Sequence, residues 1–202
     1  MLSSISPLGE RARANRWGVT TTAYLLGSLA GGLTVGALAG LLGALVPDAW
    51  RASPVALVAV AVLLLVGLAL DLGIGGARLP SWRRQVDEAW IGRYRGVVYG
   101  VGFGAQLGFG LVTIVTSATT YAVVLLAALG GDVRVGALLG AVFGLVRALP
   151  SLTLRRVLDR ESLHRVFERL ERGAPRADAV ARAALGLAAA ALVAAAGTGV
   201  VA

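Results

Sequence analysis

Few side chains in this sequence could carry out chemistry. The 202-residue chain has one histidine, His164, and no cysteine. Thiol redox chemistry, zinc–thiolate sites and histidine-cluster metal sites are therefore excluded. A nucleophile, a base and an acid do not occur together, and no carboxylate falls deep in an apolar segment. We expect neither an enzyme nor a bound cofactor.

The remaining candidates are polar groups inside the uncharged segment 96–131. Six hydroxyl side chains crowd its middle, namely Thr113, Thr116, Ser117, Thr119, Thr120 and Tyr121. Gln106 precedes them in the same segment. We expect a substrate path lined by Gln106, Thr113, Thr116, Ser117, Thr120 and Tyr121. For Gln106, a hydrogen bond between helices is the alternative interpretation.

Two ionisable residues, Asp71 and Arg147, fall inside the apolar segments. Ionisable groups within a membrane span are functional candidates by default. Both lie within about one turn of a predicted cytoplasmic helix end, where a long side chain reaches water at lower cost. The alternative is structural anchoring, with the two charges paired to each other.

The elements that must position these groups are membrane helices. Hydrophobic residues make up 57% of the chain, charged residues 15%, and the mean hydropathy is +0.78. Several uncharged apolar runs have lengths close to the roughly 20 residues that a membrane span needs. They indicate an all-α, polytopic helical membrane protein. We predict one integral membrane domain, 1–202, with about five transmembrane helices at 17–46, 54–72, 97–130, 133–150 and 179–202. Amphipathic cytoplasmic helices are predicted at 81–94 and 152–172.

Arginines set the predicted orientation. Sixteen of the nineteen basic residues, all of them arginine, lie in 1–18, 76–95 and 151–182. Such bias on alternate loops is the positive-inside pattern, so we predict a cytoplasmic N-terminus and an outside C-terminus in a bacterial inner membrane. The excess positive charge of +8 is then expected to interact with the anionic lipid headgroups of the bilayer. No nucleic acid partner is expected.

The third predicted span is too long for a bilayer. As one helix the uncharged run would measure roughly 54 Å, against about 30 Å of hydrocarbon. We predict a broken helix, interrupted between Gly110 and Thr120, whose freed backbone groups meet the neighbouring hydroxyls. The alternative is a tilted helix whose hydroxyls bond back to their own carbonyls.

A weak internal repeat links two of the spans. Segments 31–46 and 131–146 match at eight of sixteen positions with an offset of 100. The charge rule gives them opposite directions, so we predict an inverted repeat of the kind that many transporters contain. Glycines at every fourth position predict packing seams. Because these faces exceed the needs of a small bundle, we expect a homo-oligomer or a complex with another membrane protein.

The cytoplasmic helix 152–172 has two interpretations. Ser151 is its expected cap, and Gly173 with Pro175 is expected to end it. An apolar stripe opposite its charged positions fits an amphipathic helix lying on the membrane surface. The alternative is a docking helix for a partner protein.

Three segments resemble the CcdA/DsbD transmembrane family, within the LysE-like transporter superfamily. The stretch SISPLGERARANRWGVTTTAYLLGSLAGG is similar to the end of that family's first span and its second span. GFGAQLGFGLVTIVTSATTY resembles the broken first span of its second repeat, and VGALLGAVFGLVRALPSL resembles the span that follows. The resemblance implies two inverted three-span repeats.

Two departures limit what the resemblance implies. The redox cysteines of the family are absent: Leu8 follows Pro7, and Thr116, Ser117 and Ala118 replace the second motif. The first span is reduced to a short polar segment. Thiol-mediated electron transfer, the activity of the family, is therefore not carried over to this N-terminally shortened relative.

Two functions remain. A permease that moves a small solute or ion fits the inverted repeat and the polar broken helix. The alternative is a membrane subunit or scaffold of a complex, with cytochrome c or envelope biogenesis as the process, which fits the small size and the large cytoplasmic helix.

Overall fold

The structure is a computed structural model of the chain, and it describes residues 5–76, 79–80, 93–110, 115 and 117–199. Across these residues the regular secondary structure is entirely helical. Four helices are long and apolar enough to cross a membrane: Trp17–Ala44, Pro54–Asp71, Val133–Arg156 and Arg160–Thr198. Of the predicted amphipathic helix 81–94, residues 81–92 lie outside the described part of the chain.

Eight α-helices are labelled in chain order. They are α1 (Pro7–Ala12), α2 (Trp17–Ala44), α3 (Asp48–Arg51), α4 (Pro54–Asp71), α5 (Gly96–Phe109), α6 (Thr119–Gly130), α7 (Val133–Ala148) and α8 (Arg160–Gly199). Short 3-10 helices follow α4 at Ile74–Gly76 and α7 at Leu149–Arg156. Their starts follow capping chemistry: the Ser53 hydroxyl accepts from the N–H of Ala56, and the Asp132 carboxylate accepts from that of Val135.

Helix α2 is central, and α7 packs antiparallel against it through glycines. A Cβ at Gly36 would collide with the carbonyl oxygen of Gly136, and one at Gly32 with that of Gly140. The two backbones therefore touch directly, which larger side chains would prevent. The predicted glycine seams pack against other helices of the same chain. They are therefore not free for a second molecule, and surplus glycine faces no longer support a homo-oligomer.

Helices α5 and α6 pack against successive stretches of α2. A Cβ at Gly104 would meet the carbonyl of Tyr24, and one at Gly108 would meet that of Ser28. These contacts make α5 parallel to the first half of α2. Near the other end of α2, a Cβ at Gly43 would meet the carbonyl of Ala128 in α6. The two short helices together therefore follow the length of one long helix.

The helix break predicted between Gly110 and Thr120 lies at this junction. Helix α5 ends at Phe109, and Gly110 follows with φ 67° and ψ −38°, a left-handed φ that favours glycine. Helix α6 begins at Thr119. The alternative of one tilted, continuous helix is wrong.

A second antiparallel pair is formed by α4 and α8. Leu64 of α4 and Leu185 of α8 are each 2% exposed and share one apolar cluster with Ala118 and Ala122 at the start of α6. The cluster joins the α4–α8 pair to the broken helix. Helix α6 contacts α2 and α7 as well as α4 and α8, so it links the two antiparallel pairs.

Helix α8 differs from its prediction. It begins at Arg160 rather than 152 and continues through Pro175 to Gly199 as one helix of 40 residues. Ser151 is not its cap: the Ser151 hydroxyl donates to the carbonyl of Ala148 at 2.7 Å. Asp159 caps α8 instead, because its carboxylate accepts from the N–H of Ser162 at 2.7 Å. That backbone hydrogen bond lowers the pKa of Asp159.

Most of the outward-facing side chains on the long helices are apolar. Val55 is 80% exposed and Leu138 is 66% exposed, and long stretches of α2, α4, α7 and α8 resemble them. Soluble proteins do not present continuous apolar surface of this extent. The exposure, length and composition are those of a helical membrane protein.

Candidate functional site

The break in the helix is held on one side by Asp71, the last residue of α4. Its Oδ2 accepts a hydrogen bond from the Ser117 hydroxyl at 2.9 Å. Both carboxylate oxygens lie 3.0 Å from the backbone nitrogen of Ala118, the residue that precedes α6. A carboxylate at a helix N-terminus satisfies free N–H groups and complements the positive end of the helix dipole. Asp71 therefore fixes the start of α6 to the end of α4.

Ser117 is fully engaged at this junction. Besides donating to Asp71, its hydroxyl oxygen accepts from the backbone N–H of Thr119 at 3.3 Å and from the Thr119 hydroxyl at 3.1 Å. One donor and two acceptor positions are all that a serine hydroxyl offers. Ser117 thus serves mainly to shape the turn.

A small polar pocket lies beside Asp71, between the break and α8. Its volume is about 50 Å³, and its lining is Asp71, Ser117, Asp178, Ala181 and Arg182. Arg182 Nη2 donates to the backbone carbonyl of Asp71 at 2.9 Å. Since one water takes about 30 Å³ of liquid, the pocket has room for one or two waters.

The other side of the break is formed where Gly110 meets α6 and α7. A Cβ at Gly110 would lie 2.9 Å from Thr120 Cγ2, 3.1 Å from Arg147 Nη1 and 3.1 Å from Phe143 Cε1. The backbone at the end of α5 is therefore in close contact with the Arg147 guanidinium. Because a C-terminal helix end carries partial negative charge, this position favours a cation.

Arg147 is only partly satisfied there. Its Nη1 is buried and has no hydrogen-bond partner among the described residues. Its guanidinium carbon lies 5.3 Å from the centre of the Phe143 ring, a cation–π contact. The expected pairing with Asp71 is not observed within the described part of the chain, because the Asp71 carboxylate is directed at Ser117 and Ala118.

Two buried hydroxyls accompany Arg147. Tyr24 is 2% exposed and Thr120 is 4% exposed. The methyl group of Thr120 lies against Gly110, and Tyr24 shares a buried cluster with Ala148, the residue after Arg147. Tyr24 was not anticipated, although its place on α2 one turn before Ser28 puts it on the face that packs against α7.

The other predicted site residues have different positions. Gln106 is half-buried on α5, one turn before Gly110. The Tyr121 hydroxyl donates to the carbonyl of Pro80, and its ring lines an apolar cavity of about 400 Å³ between α4 and α6. Tyr121 therefore faces away from the polar break. Thr113 and Thr116 lie outside the described residues.

A second buried polar cluster, around Glu10 of α1, was missed by the sequence analysis. Glu10 is 0% exposed, and its carboxylate accepts from Arg13 Nη2 at 2.7 Å, from the Thr20 hydroxyl at 2.9 Å and from the Tyr99 hydroxyl. The cluster joins α1 to the first turns of α2 and α5. The available signal was Ser6 followed by Pro7, a helix-start pattern in a segment that looked like a polar tail.

Comparison with known proteins gives one match to report. The chain is 30% identical over 151 residues, 74% of its length, to the methylamine utilization protein MauF of Methylobacillus flagellatus. It spans about half of that relative, 53% of its length. No family model matches the chain, and no solved structure matches it.

Proposed function

We propose that this protein is a permease-like membrane protein that moves a small solute or ion through the helix break, without thiol redox chemistry. One observation carries the proposal. The break between the end of α5 and the start of α6 is bordered by Gly110, Thr120 and Arg147, and the buried Nη1 of Arg147 has no hydrogen-bond partner among the described residues. Irregular backbone at membrane depth is tolerated where it is buried in protein or lines a cavity, and transporters place their sites at such discontinuous helices.

The proposal treats α5 and α6 as one interrupted crossing, which would make five in all. Each helix alone is short, at 14 and 12 residues. Together they follow α2, which has 28 residues and a length of about 42 Å. Their combined length supports a fifth crossing, with the break inside the bilayer.

The glycine contacts support an inverted repeat. The offset of 100 relates position 32 to 132 and position 40 to 140. Gly32 contacts Gly140, and Gly40 contacts Asp132, so the offset converts each contact into the other. Gly36 contacts its own counterpart, Gly136. This is the pattern of a two-fold axis through the α2–α7 seam, and it favours the proposed relation to the CcdA/DsbD-type family.

A second candidate function is a membrane accessory subunit of a multiprotein pathway or complex, such as cytochrome c or envelope biogenesis. The name of the MauF relative assigns it to methylamine utilization, and we propose membership of a comparable pathway for this chain on that basis. Helix α8 adds support. Its first half continues beyond Asp71 at the end of α4 and carries exposed charged residues that a partner protein could bind.

Accessibility of introduced cysteines tests the permease proposal, helped by the absence of native cysteine. In membranes, Ser117→Cys and Thr120→Cys should react with a charged, water-soluble thiol reagent, because a solute path must admit water to the break. Leu138→Cys, on the lipid-facing side of α7, and Val123→Cys should stay unlabelled. Protection of all four positions would leave a packed structural helix and would favour the accessory-subunit candidate.

A further inference from the structure

We propose that the apolar cavity between α4, α6 and α8 binds one acyl chain of a zwitterionic bilayer phospholipid, whose polar end lies at the pocket beside Asp71 and Arg182. This lipid site is independent of any passage through the helix break. It combines two adjoining cavities, one apolar and one polar.

The apolar cavity is deeper than a lipid-facing helix surface. Its volume is about 400 Å³. Leu64 of α4 and Leu185 of α8, which line it, are each 2% exposed, whereas Leu63 and Val66, which also line it, are 52% and 50% exposed. The cavity therefore reaches from the buried contact between the helices to the outward face of α4, where the hydrocarbon of the bilayer meets it.

The segment that follows α4 adds a further wall. Leu79 and Pro80 line the cavity, and the carbonyl of Pro80 accepts a hydrogen bond from the Tyr121 hydroxyl of α6. This bond holds the segment against α6. A chain in the cavity therefore contacts three helices and their connection at once, which distinguishes it from lipid that covers an open helix surface.

The walls of the cavity select a hydrocarbon. Among the described residues that line it, only Tyr121 carries a polar side-chain group, and that hydroxyl donates to Pro80. A buried water needs two to four polar partners, which such walls do not offer. An empty space would lose dispersion contacts along all of them. Since an apolar cavity of about 150 Å³ already binds benzene, this larger one suits several carbons of an acyl chain.

The cavity also has the right shape for a chain. Its lining on α4 runs from Leu63 to Leu70, which is roughly 10 Å of helix. On α6 it runs from Ala118 to Leu125, over the same number of residues. A chain lying alongside the two helices fits this extent.

The polar pocket of about 50 Å³ adjoins the apolar cavity. On each of three helices, a residue of the polar pocket is a near neighbour of one that lines the apolar cavity: Asp71 follows Leu70, Ser117 precedes Ala118, and Arg182 lies one turn before Leu185. A molecule with its chain in the apolar cavity therefore reaches polar side chains at one end. That combination matches an amphipathic lipid.

The charges of the polar pocket indicate the class of head group. Arg182 donates to the carbonyl of Asp71 at 2.9 Å. Because a guanidinium has five N–H donors, it can also donate to the phosphate of a lipid. Asp71 and Asp178 line the same pocket, and their carboxylates attract an ammonium group and repel a head group that is only anionic. Phosphatidylethanolamine has both the phosphate and the ammonium group.

Photolabelling of the full-length protein in nanodiscs tests the site. The nanodiscs consist of phosphatidylglycerol with a small fraction of phosphatidylethanolamine whose acyl chain carries a diazirine, and labelled residues are identified by peptide mass spectrometry. Leu63, Val66 and Leu125 should be labelled, and unlabelled phosphatidylethanolamine should compete the label away. Leu138, exposed on α7, reports ordinary surrounding lipid, so its label should fall only in proportion to dilution. The same diazirine chain on phosphatidylglycerol should label the cavity about threefold less, because a single charge-assisted hydrogen bond or repulsion is of that order.

A matched pair of variants on α4 separates the cavity from the helix surface. Val66→Phe places a ring in the cavity and should lower the label on Leu63 and Leu125 by at least about fivefold, because the added bulk competes with the chain for space. Val62→Phe is the control, since Val62 is also 50% exposed but is not among the described lining residues. Val124→Phe, which alters the α6 wall, decides if Val66→Phe fails to fold.

Three results would overturn the lipid site. The first is label that does not saturate at the cavity. The second is label at Leu138 with none on the cavity lining, which would show that another part of the chain or a second copy fills the space. The third is equal loss of label in Val66→Phe and Val62→Phe. Equal labelling by the two head groups would contradict the zwitterionic assignment and with it the placement of the polar end at Asp71 and Arg182.

Discussion

At the scale of single residues, the structure treats its buried charges in two ways. Glu10 is fully buried and receives hydrogen bonds from Arg13, Thr20 and Tyr99. Arg147 has a buried Nη1 that receives nothing from the described residues. Removing a buried charge that is completely hydrogen-bonded destabilises the fold, because its partners are left unpaired.

The stabilising role of Glu10 gives a direct test. Glu10→Ala should lower the free energy of unfolding by about 1–3 kcal/mol, because the buried hydroxyls of Thr20 and Tyr99 lose their carboxylate acceptor and the half-buried Arg13 loses its ion-pair partner. Glu10→Gln should cost less, since its amide oxygen still accepts. The measurement is thermal unfolding in detergent, with the exposed Glu161→Ala as control. An unchanged midpoint for Glu10→Ala would show that the cluster does not hold α1 in place.

Sequence reasoning identified Asp71 and Arg147 because a charge in an apolar segment is visible without a structure. It could not identify Glu10, because an acidic residue in a polar segment is the ordinary solvated case. Its burial depends on α1 folding back against Thr20 and Tyr99, which are 10 and 89 residues away. Such contacts leave no local pattern.

At the scale of elements, the break and the glycine seams followed from the sequence, whereas the continuity of α8 did not. A segment too long for the bilayer with Gly110 at its centre predicted an interruption. Gly173 and Pro175 gave an equally clear stop signal, yet α8 continues through both. An interior proline costs about 3 kcal/mol, and the alanine-rich sequence that follows has the strongest helix propensity available. Whether the helix stops or continues depends on the total free energy of all its residues, which the two residues of a stop signal do not determine.

The continuity of α8 can be measured as a distance. Spin labels at His164→Cys and Ala190→Cys should be roughly 39 Å apart along one helix of 26 intervening steps. A break at Gly173, with the first half lying flat on the membrane at a right angle to the second, would bring them to roughly 29 Å. Labels at Val19→Cys and Leu42→Cys on α2 serve as the control, with roughly 34 Å expected for a helix of undisputed continuity. The shorter distance in α8 would restore the surface-helix interpretation.

At the scale of the whole molecule, the charges separate to two ends. Arg13 and Arg95 lie near the first turn of α2, because Glu10 links α1 to Tyr99 there. The 3-10 helix Leu149–Arg156, with two further arginines, contacts α1 at the same end. At the opposite end, Arg51 of α3 donates to the carbonyls of Leu129 and Gly130, which joins the connection between α2 and α4 to the end of α6. The three-dimensional arrangement therefore agrees with the grouping of segments that the positive-inside rule used.

This separation leads to a topology prediction that also decides the number of crossings. With the basic end in the cytoplasm, five crossings place the N-terminus inside and the C-terminus outside. A periplasmic reporter fused after Ala202 should be active, one fused after Gly173 should be silent, and a reporter active only in the cytoplasm should give the opposite pair of results. If α5 and α6 did not together cross the bilayer, four crossings would return the C-terminus to the cytoplasm and silence the Ala202 fusion. That outcome would also contradict passage through the break, because Thr120 and Arg147 would no longer lie between two aqueous compartments.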